Sequence, residues 1–145
     1  RPLNKPLILM GGCLDDLFEF VQPRAIEDGL NMAQKYWPGP LTIILPTVGN
    51  FSKYLNCNSS SVGFRVPDLK LARDLLISTG PLATTSANIS GQSPVKDAIE
   101  ASIQFPGIPL LGPLPWPNSS GIASTVIEWD QGKWNLLRAG SVDFN

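Results

Sequence analysis

The stretch from Pro81 to Gly91, Pro-Leu-Ala-Thr-Thr-Ser-Ala-Asn-Ile-Ser-Gly, passes from apolar residues straight into hydroxyls, an amide and a glycine. That pattern predicts a buried strand running into a loop of small polar residues. Thr84, Thr85, Ser86, Asn88 and Ser90 are short hydrogen-bonding groups, and no bulky side chain keeps a ligand from the backbone. Ligands of open α/β sheets lie beyond the carboxyl ends of strands. The chemistry this stretch suits is therefore the binding of a nucleotide or another anion. The same residue types also build a plain turn and helix cap, so the loop by itself leaves both readings open. Arg65 is the second candidate. In the alternating run Ser61 to Pro67 it faces away from Phe64 and Val66, which frees a guanidinium fork for phosphate or carboxylate.

Histidine is absent, which removes histidine triads, imidazole acid–base steps and histidine metal ligands. Neither a Walker A sequence nor a GxGxxG run occurs.

The elements that would carry these residues alternate between strand and helix. Pro6 to Met10 reads as a short buried strand closed by Gly11-Gly12, and Leu14 to Val21 has helical spacing. A helix starts near Pro23, with Ile26, Leu30, Ala33 and Trp37 in one stripe, and Pro38-Gly39-Pro40 ends it. Trp37 to Pro40 reads as a rigid corner that places the next strand. Leu41 to Leu45 is nearly all apolar, as expected of a strand covered on both faces. Residues 46–60 read as loop with one short turn near Ser52 to Leu55. Leu69 to Ser78 reads as a helix with Leu69, Ala72, Leu75 and Leu76 on one side, before the strand Pro81 to Ala83, which is expected at the sheet's centre. Ser93-Pro94 suits an N-cap and first helical position for a helix ending near Gln104. Residues 106–121 are rich in proline and glycine, and Ser124 to Trp129 with Trp134 to Arg138 predict a hairpin. The alternation predicts one α/β layer structure without internal repeats.

The chain has 145 residues and is 43% hydrophobic, enough for a packed core. Eleven basic against 12 acidic residues give a net charge of −1, which excludes nucleic-acid binding by bulk charge and leaves only a local patch for RNA. Cys13 and Cys57 form no CxxC pair, which predicts inert thiols in a reducing, cytoplasmic setting. No apolar run reaches the roughly 20 residues of a membrane span, and no signal peptide is visible.

Five stretches together resemble one family. Arg1-Pro2 with Lys5-Pro6-Leu7 resembles the end of a KxRPxxxPL element. Trp37-Pro38-Gly39-Pro40-Leu41-Thr42 resembles WPGPLT, and Phe64-Arg65-Val66-Pro67 resembles VRVP. Thr85-Ser86-Ala87-Asn88 with Ser90-Gly91 looks like TSAN-x-SG. Ser124-Thr125-Val126 and then Leu137-Arg138-Ala139-Gly140 resemble STV and LRxG. In this order they are similar to the YrdC-like threonylcarbamoyl-AMP synthases, from the first residue to about Gly140.

The resemblance implies a fold and a reaction. The fold is an α/β domain with a twisted, mostly mixed open sheet flanked by helices. The reaction makes threonylcarbamoyl-AMP and pyrophosphate from L-threonine, bicarbonate and ATP, the ATP carrying Mg2+ and no metal being held by the protein. A separate transferase then modifies tRNA, and tRNA or double-stranded RNA is a further expected contact. Two other readings stay open: a non-catalytic RNA-binding relative, and a domain of a carbamoyl-transfer protein. By resemblance Arg1, Ser61, Ser86, Asn88, Ser93 and Arg138 face ATP, while Arg65, Thr84 and Ser124 face threonine; no residue is singled out as catalytic. Met10 stands where many relatives carry a pocket histidine. The resemblance also begins inside an element, at the arginine of KxR. Residues 1–145 are accordingly expected to form a YrdC-like domain incomplete at its N-terminus, and a poor catalyst taken alone.

Overall fold

The structure is a computed structural model that describes residues 7–55, 59–117 and 120–144. The described chain falls into two compact units: one carries the whole sheet, and the other is Thr85–Ile122.

Six strands form the sheet: β1 (Ile8–Met10), β2 (Leu41–Pro46), β3 (Ser61–Arg65), β4 (Leu82–Thr84), β5 (Thr125–Asp130) and β6 (Lys133–Arg138), in the spatial order β4-β1-β3-β2-β5-β6. The β1–β3 and β2–β5 pairs are parallel, and β1–β4, β2–β3 and β5–β6 are antiparallel. This is the mixed open sheet that the resemblance implies. The helices are α1 (Asp15–Phe18), α2 (Pro23–Tyr36), α3 (Phe51–Tyr54) and α4 (Lys70–Thr79), with α5 (Ala98–Gln104) in the second unit.

One face of the sheet makes the core. Alternate residues Leu41, Ile43 and Leu45 of β2, Val62 and Phe64 of β3, and Ile127 of β5 have no exposed surface. Helix α2 begins on Pro23, whose lacking N–H is harmless in a first turn, and buries Ala25, Gly29 and Ala33. The small residues let it lie close to the sheet. A Cβ at Gly29 would come within 3.0 Å of both Leu45 and Phe18. Leu17, Phe18, Val21 and Trp37 complete the same cluster. The other face carries Ile8, Met10, Arg65, Ile44, Val126 and Glu128, all half-buried, and Thr42, which is buried.

The hairpin joining β5 and β6 turns on Gln131 and Gly132, with φ of 49° and 86°. Two left-handed residues match the twist of the flanking strands, and glycine takes that conformation without strain.

Three expectations are corrected. The strand after Pro81 is not central: β4 has three residues, pairs only with β1 and lies at the sheet's edge with Leu82 39% exposed. Apolar composition reports burial on average and says nothing of strand order. The helix expected from Pro94 starts only at Ala98. Asp97 caps it by accepting the Glu100 N–H at 2.8 Å, and the Glu100 carboxylate accepts the Lys96 N–H at 2.8 Å, a stronger start signal than Ser93-Pro94 offers. On α4 only Leu76 is buried, whereas Leu69 and Leu75 are exposed.

Candidate functional site

The strand registers bring Arg65, Thr42 and Arg138 to one end of the sheet and set Thr84 level with Gly63 instead. Met10 lies opposite Arg65, Thr42 opposite Val126, and Val126 opposite Arg138. The β2–β3 register, which pairs Ile43 with Phe64, sets Thr42 beside Arg65 one residue further on.

Each arginine is held by backbone carbonyls rather than by a carboxylate. Arg65 Nε donates to Gly39 O at 2.9 Å. Arg138 donates twice to Ser124 O, from Nε at 3.1 Å and from Nη2 at 2.8 Å, and Nη2 also reaches Ser124 Oγ at 3.0 Å. Among the described residues the ion pairs are Lys70–Asp74 and Arg73–Asp68, so neither Arg65 nor Arg138 is neutralised by an acid there. Burial, and then the charge of Arg138, lower the pKa of Arg65 from its ordinary value. Both guanidiniums nevertheless stay charged, because arginine does not lose its proton in proteins. Two mutually repelling cations at one sheet end make a place where an anion is stabilised.

Two glycine corners build this end. Gly39 donates its N–H to Val66 O at 3.0 Å and offers its own carbonyl to Arg65, and a Cβ on it would meet Tyr36 O at 2.2 Å. Pro40 O accepts the Thr125 N–H at 2.9 Å, so the same corner also fixes the start of β5. The Trp37-Pro38-Gly39-Pro40 turn is thus the expected corner and also the anchor of Arg65. Gly140 lies flat on the other side: a Cβ there would meet Ala123 O at 2.3 Å, Thr125 N at 2.4 Å and the Ser124 carbonyl carbon at 2.5 Å. That close approach lets the chain after Arg138 double back on Ser124.

Ser124 is buried, and Thr84 is half-buried with Oγ1 donating to Ile8 O at 3.3 Å. Ser61 occupies the other end of β3 from Arg65, about 13 Å along the strand. There it borders a polar cavity of about 320 Å3 with Arg24, Glu128, Trp129 and Asp130. Arg1 lies outside the described residues.

Ser86, Asn88 and Ser93 belong to the second unit. The Asn88 side chain ties its own loop together. Nδ2 donates to Ile89 O at 3.0 Å and Gln92 O at 2.9 Å, and Oδ1 accepts from Ser86 Oγ. Gly91, with φ of 85°, closes the turn. Ser86 and Ser93 are exposed. Among the described residues no cluster of three acidic or cysteine side chains could hold a metal ion, and no helix is long and apolar enough to cross a membrane.

Thr42 and the two glycine corners are missing from the sequence-based site. The signal for Thr42 was present: it is the one polar side chain in an otherwise apolar strand, with apolar neighbours on both sides.

The Sua5/YciO/YrdC family model, described as Telomere recombination, matches residues 1–140. The chain belongs to this family. A threonylcarbamoyl-AMP synthase of Yersinia enterocolitica is 36% identical over 107 residues, which cover 72% of this chain and 56% of that protein. A Bos taurus protein of the same name is 31% identical over 147 residues, covering 97% of this chain and 52% of its own length. The solved structure of P. abyssi Sua5 complexed with L-threonine superposes with a TM-score of 0.83 at 30% identity, covering 97% of this chain and 41% of that one. The chain spans about half the length of the curated relatives it matches.

Proposed function

We propose that this chain belongs to an enzyme that joins L-threonine, bicarbonate and ATP into threonylcarbamoyl-AMP, releasing pyrophosphate. The observation that carries the reading is the pair Arg65 and Arg138, two cations without acidic partners among the described residues, set at one end of a sheet whose relatives include a threonine complex. In the reaction the threonine amine and bicarbonate condense to a carbamate with loss of water, a carbamate oxygen attacks the α-phosphorus of ATP, and the bond to pyrophosphate breaks. The transition state concentrates negative charge, so fixed guanidiniums and aligned reactants carry most of the catalysis, and no histidine is needed.

In this reading Arg65 grips the threonine carboxylate, and Thr84 and Ser124 are further threonine contacts, Thr84 from two strands away at the level of Gly63. Arg138 faces the ATP phosphates, and the family resemblance gives Arg1 the same ligand. Ser61, on the same face of β3 as Arg65, is left to the far reach of the nucleotide. For Ser86, Asn88 and Ser93 the ATP role rests on the family resemblance of their loop, which the Asn88 side chain holds in shape. ATP brings its own Mg2+. The product passes to a separate transferase that modifies tRNA, with any tRNA or double-stranded RNA contact secondary to that step, which places the work in the cytoplasm.

The test is pyrophosphate release by the full-length protein, with each substrate omitted in turn. Release that needs threonine and bicarbonate together supports the reading. ATP breakdown indifferent to threonine contradicts it.

A further inference from the structure

We propose that Thr42 is a positioning residue for the threonine pocket, acting through Ser124; the inference rests on the synthase reading above. Leu41 and Ile43, its neighbours in β2, are fully buried in the core. Alternation therefore sends Thr42 to the opposite face, yet it too is only 2% exposed. Its Oγ1 lies 3.0 Å from Ser124 Oγ. Ser124 Oγ also accepts from Arg138 Nη2 at 3.0 Å.

A serine hydroxyl has one hydrogen and two lone pairs. Arg138 occupies one lone pair. When the Thr42 O–H fills the second, the Ser124 hydrogen is left over and directed at an acceptor on the bound substrate. Thr42 thereby sets which way Ser124 donates, and it joins that choice to the guanidinium of Arg138.

The Thr42 rotamer is fixed from its other branch. A Cβ at Gly63 would come within 3.2 Å of Thr42 Cγ2 and 2.9 Å of Ile8 Cγ2, so glycine at that position leaves the space in which the Thr42 methyl sits. With its methyl packed towards Gly63, this β-branched side chain holds its hydroxyl on Ser124. Valine would fill the same volume without the hydroxyl, and serine would supply the hydroxyl without the wedge.

Thr42→Val and Thr42→Ser in the full-length protein separate these contributions. Calorimetric titration gives threonine and ATP affinities, and steady-state assays give the KM for each. Thr42→Val should weaken threonine by about two- to tenfold, the effect of one lost hydrogen bond, with ATP affinity unchanged. Thr42→Ser should recover most of the threonine affinity. A merely structural role would move both ligands together and would not be rescued by serine. Wild-type threonine affinity in Thr42→Val, or equal impairment in the two variants, would overturn the proposal while leaving the synthase reading intact. Absence of threonine binding in the wild-type protein would overturn both.

Discussion

The two ends of the sheet are built from the same six strands and differ in charge. At the end holding Arg65 and Arg138, cations are held by the carbonyls of Gly39 and Ser124, and no described carboxylate neutralises them. At the end holding Ser61, Arg24 shares its surroundings with Glu128 and Asp130. There Trp129 Nε1 donates to Asp28 Oδ2 at 2.7 Å, and the Arg24 guanidinium lies 5.8 Å from the Trp129 ring centroid. At this second end a cation, carboxylates and an aromatic ring line one cavity, with the Asp28–Trp129 hydrogen bond and the Arg24–Trp129 approach as its contacts. The difference is one of charge balance: the arginine end sets two cations together on backbone carbonyls, whereas the Ser61 end mixes a cation with carboxylates, which leaves the net positive field at the first end.

The comparison is broken most forcefully at Gly140. Gly140→Ala puts a methyl against three backbone atoms that cannot rotate away. It should destabilise the protein by about 3 kcal/mol or more, the upper range for overpacking, and abolish substrate binding with it. Chemical denaturation measures the first effect and calorimetry the second. Retained stability and binding would mean that the Arg138–Ser124 arrangement does not depend on this close approach.

Asp28→Ala tests the opposite end. It removes the partner of the Trp129 indole and should lower stability by about 1.5–3 kcal/mol, as expected for a hydrogen bond to a charged group. Threonine and ATP affinities should not change. A matching loss of affinity would make the two ends one functional surface and dissolve the contrast. Glu128→Gln should do less, shifting stability by no more than about 0.5 kcal/mol, because it changes a half-buried surface charge and no core packing. A gain in ATP affinity there would show that its carboxylate repels the phosphates, and would extend the anion site along the strand towards Ser61.

Much of the scaffold was legible in the sequence because periodicity is local. The stripe on α2, the apolar run of β2 and the hairpin between Trp129 and Trp134 each depend on residues near one another in the chain. The facing of Arg65 was legible for the same reason. What was not legible is pairing. The exposed edge position of β4 follows from its partner β1, which lies more than seventy residues upstream. Ser61 and Arg65 share a face, but only the sheet order shows that Arg138 joins Arg65 and leaves Ser61 at the other end. Thr42 stood out as the one polar residue of an apolar strand, but its contact with Ser124, 82 residues away, could not be read from composition. Asn88 stood out as a hydrogen-bonding group, and its three bonds within its own loop could not be read from spacing.

The central claim is that the arginine end receives the anionic groups of the substrates, with Arg65 on threonine. Arg65→Lys keeps the charge and removes the fork that lets one side chain hold Gly39 O and grip a carboxylate in two places. Its measurement is calorimetric titration of the full-length protein with threonine and, separately, with ATP. The account predicts a threonine affinity at least about tenfold weaker, the loss of roughly one charge-assisted hydrogen bond, and an ATP affinity close to wild type. Threonine affinity equal to wild type, or a loss confined to ATP, would contradict it.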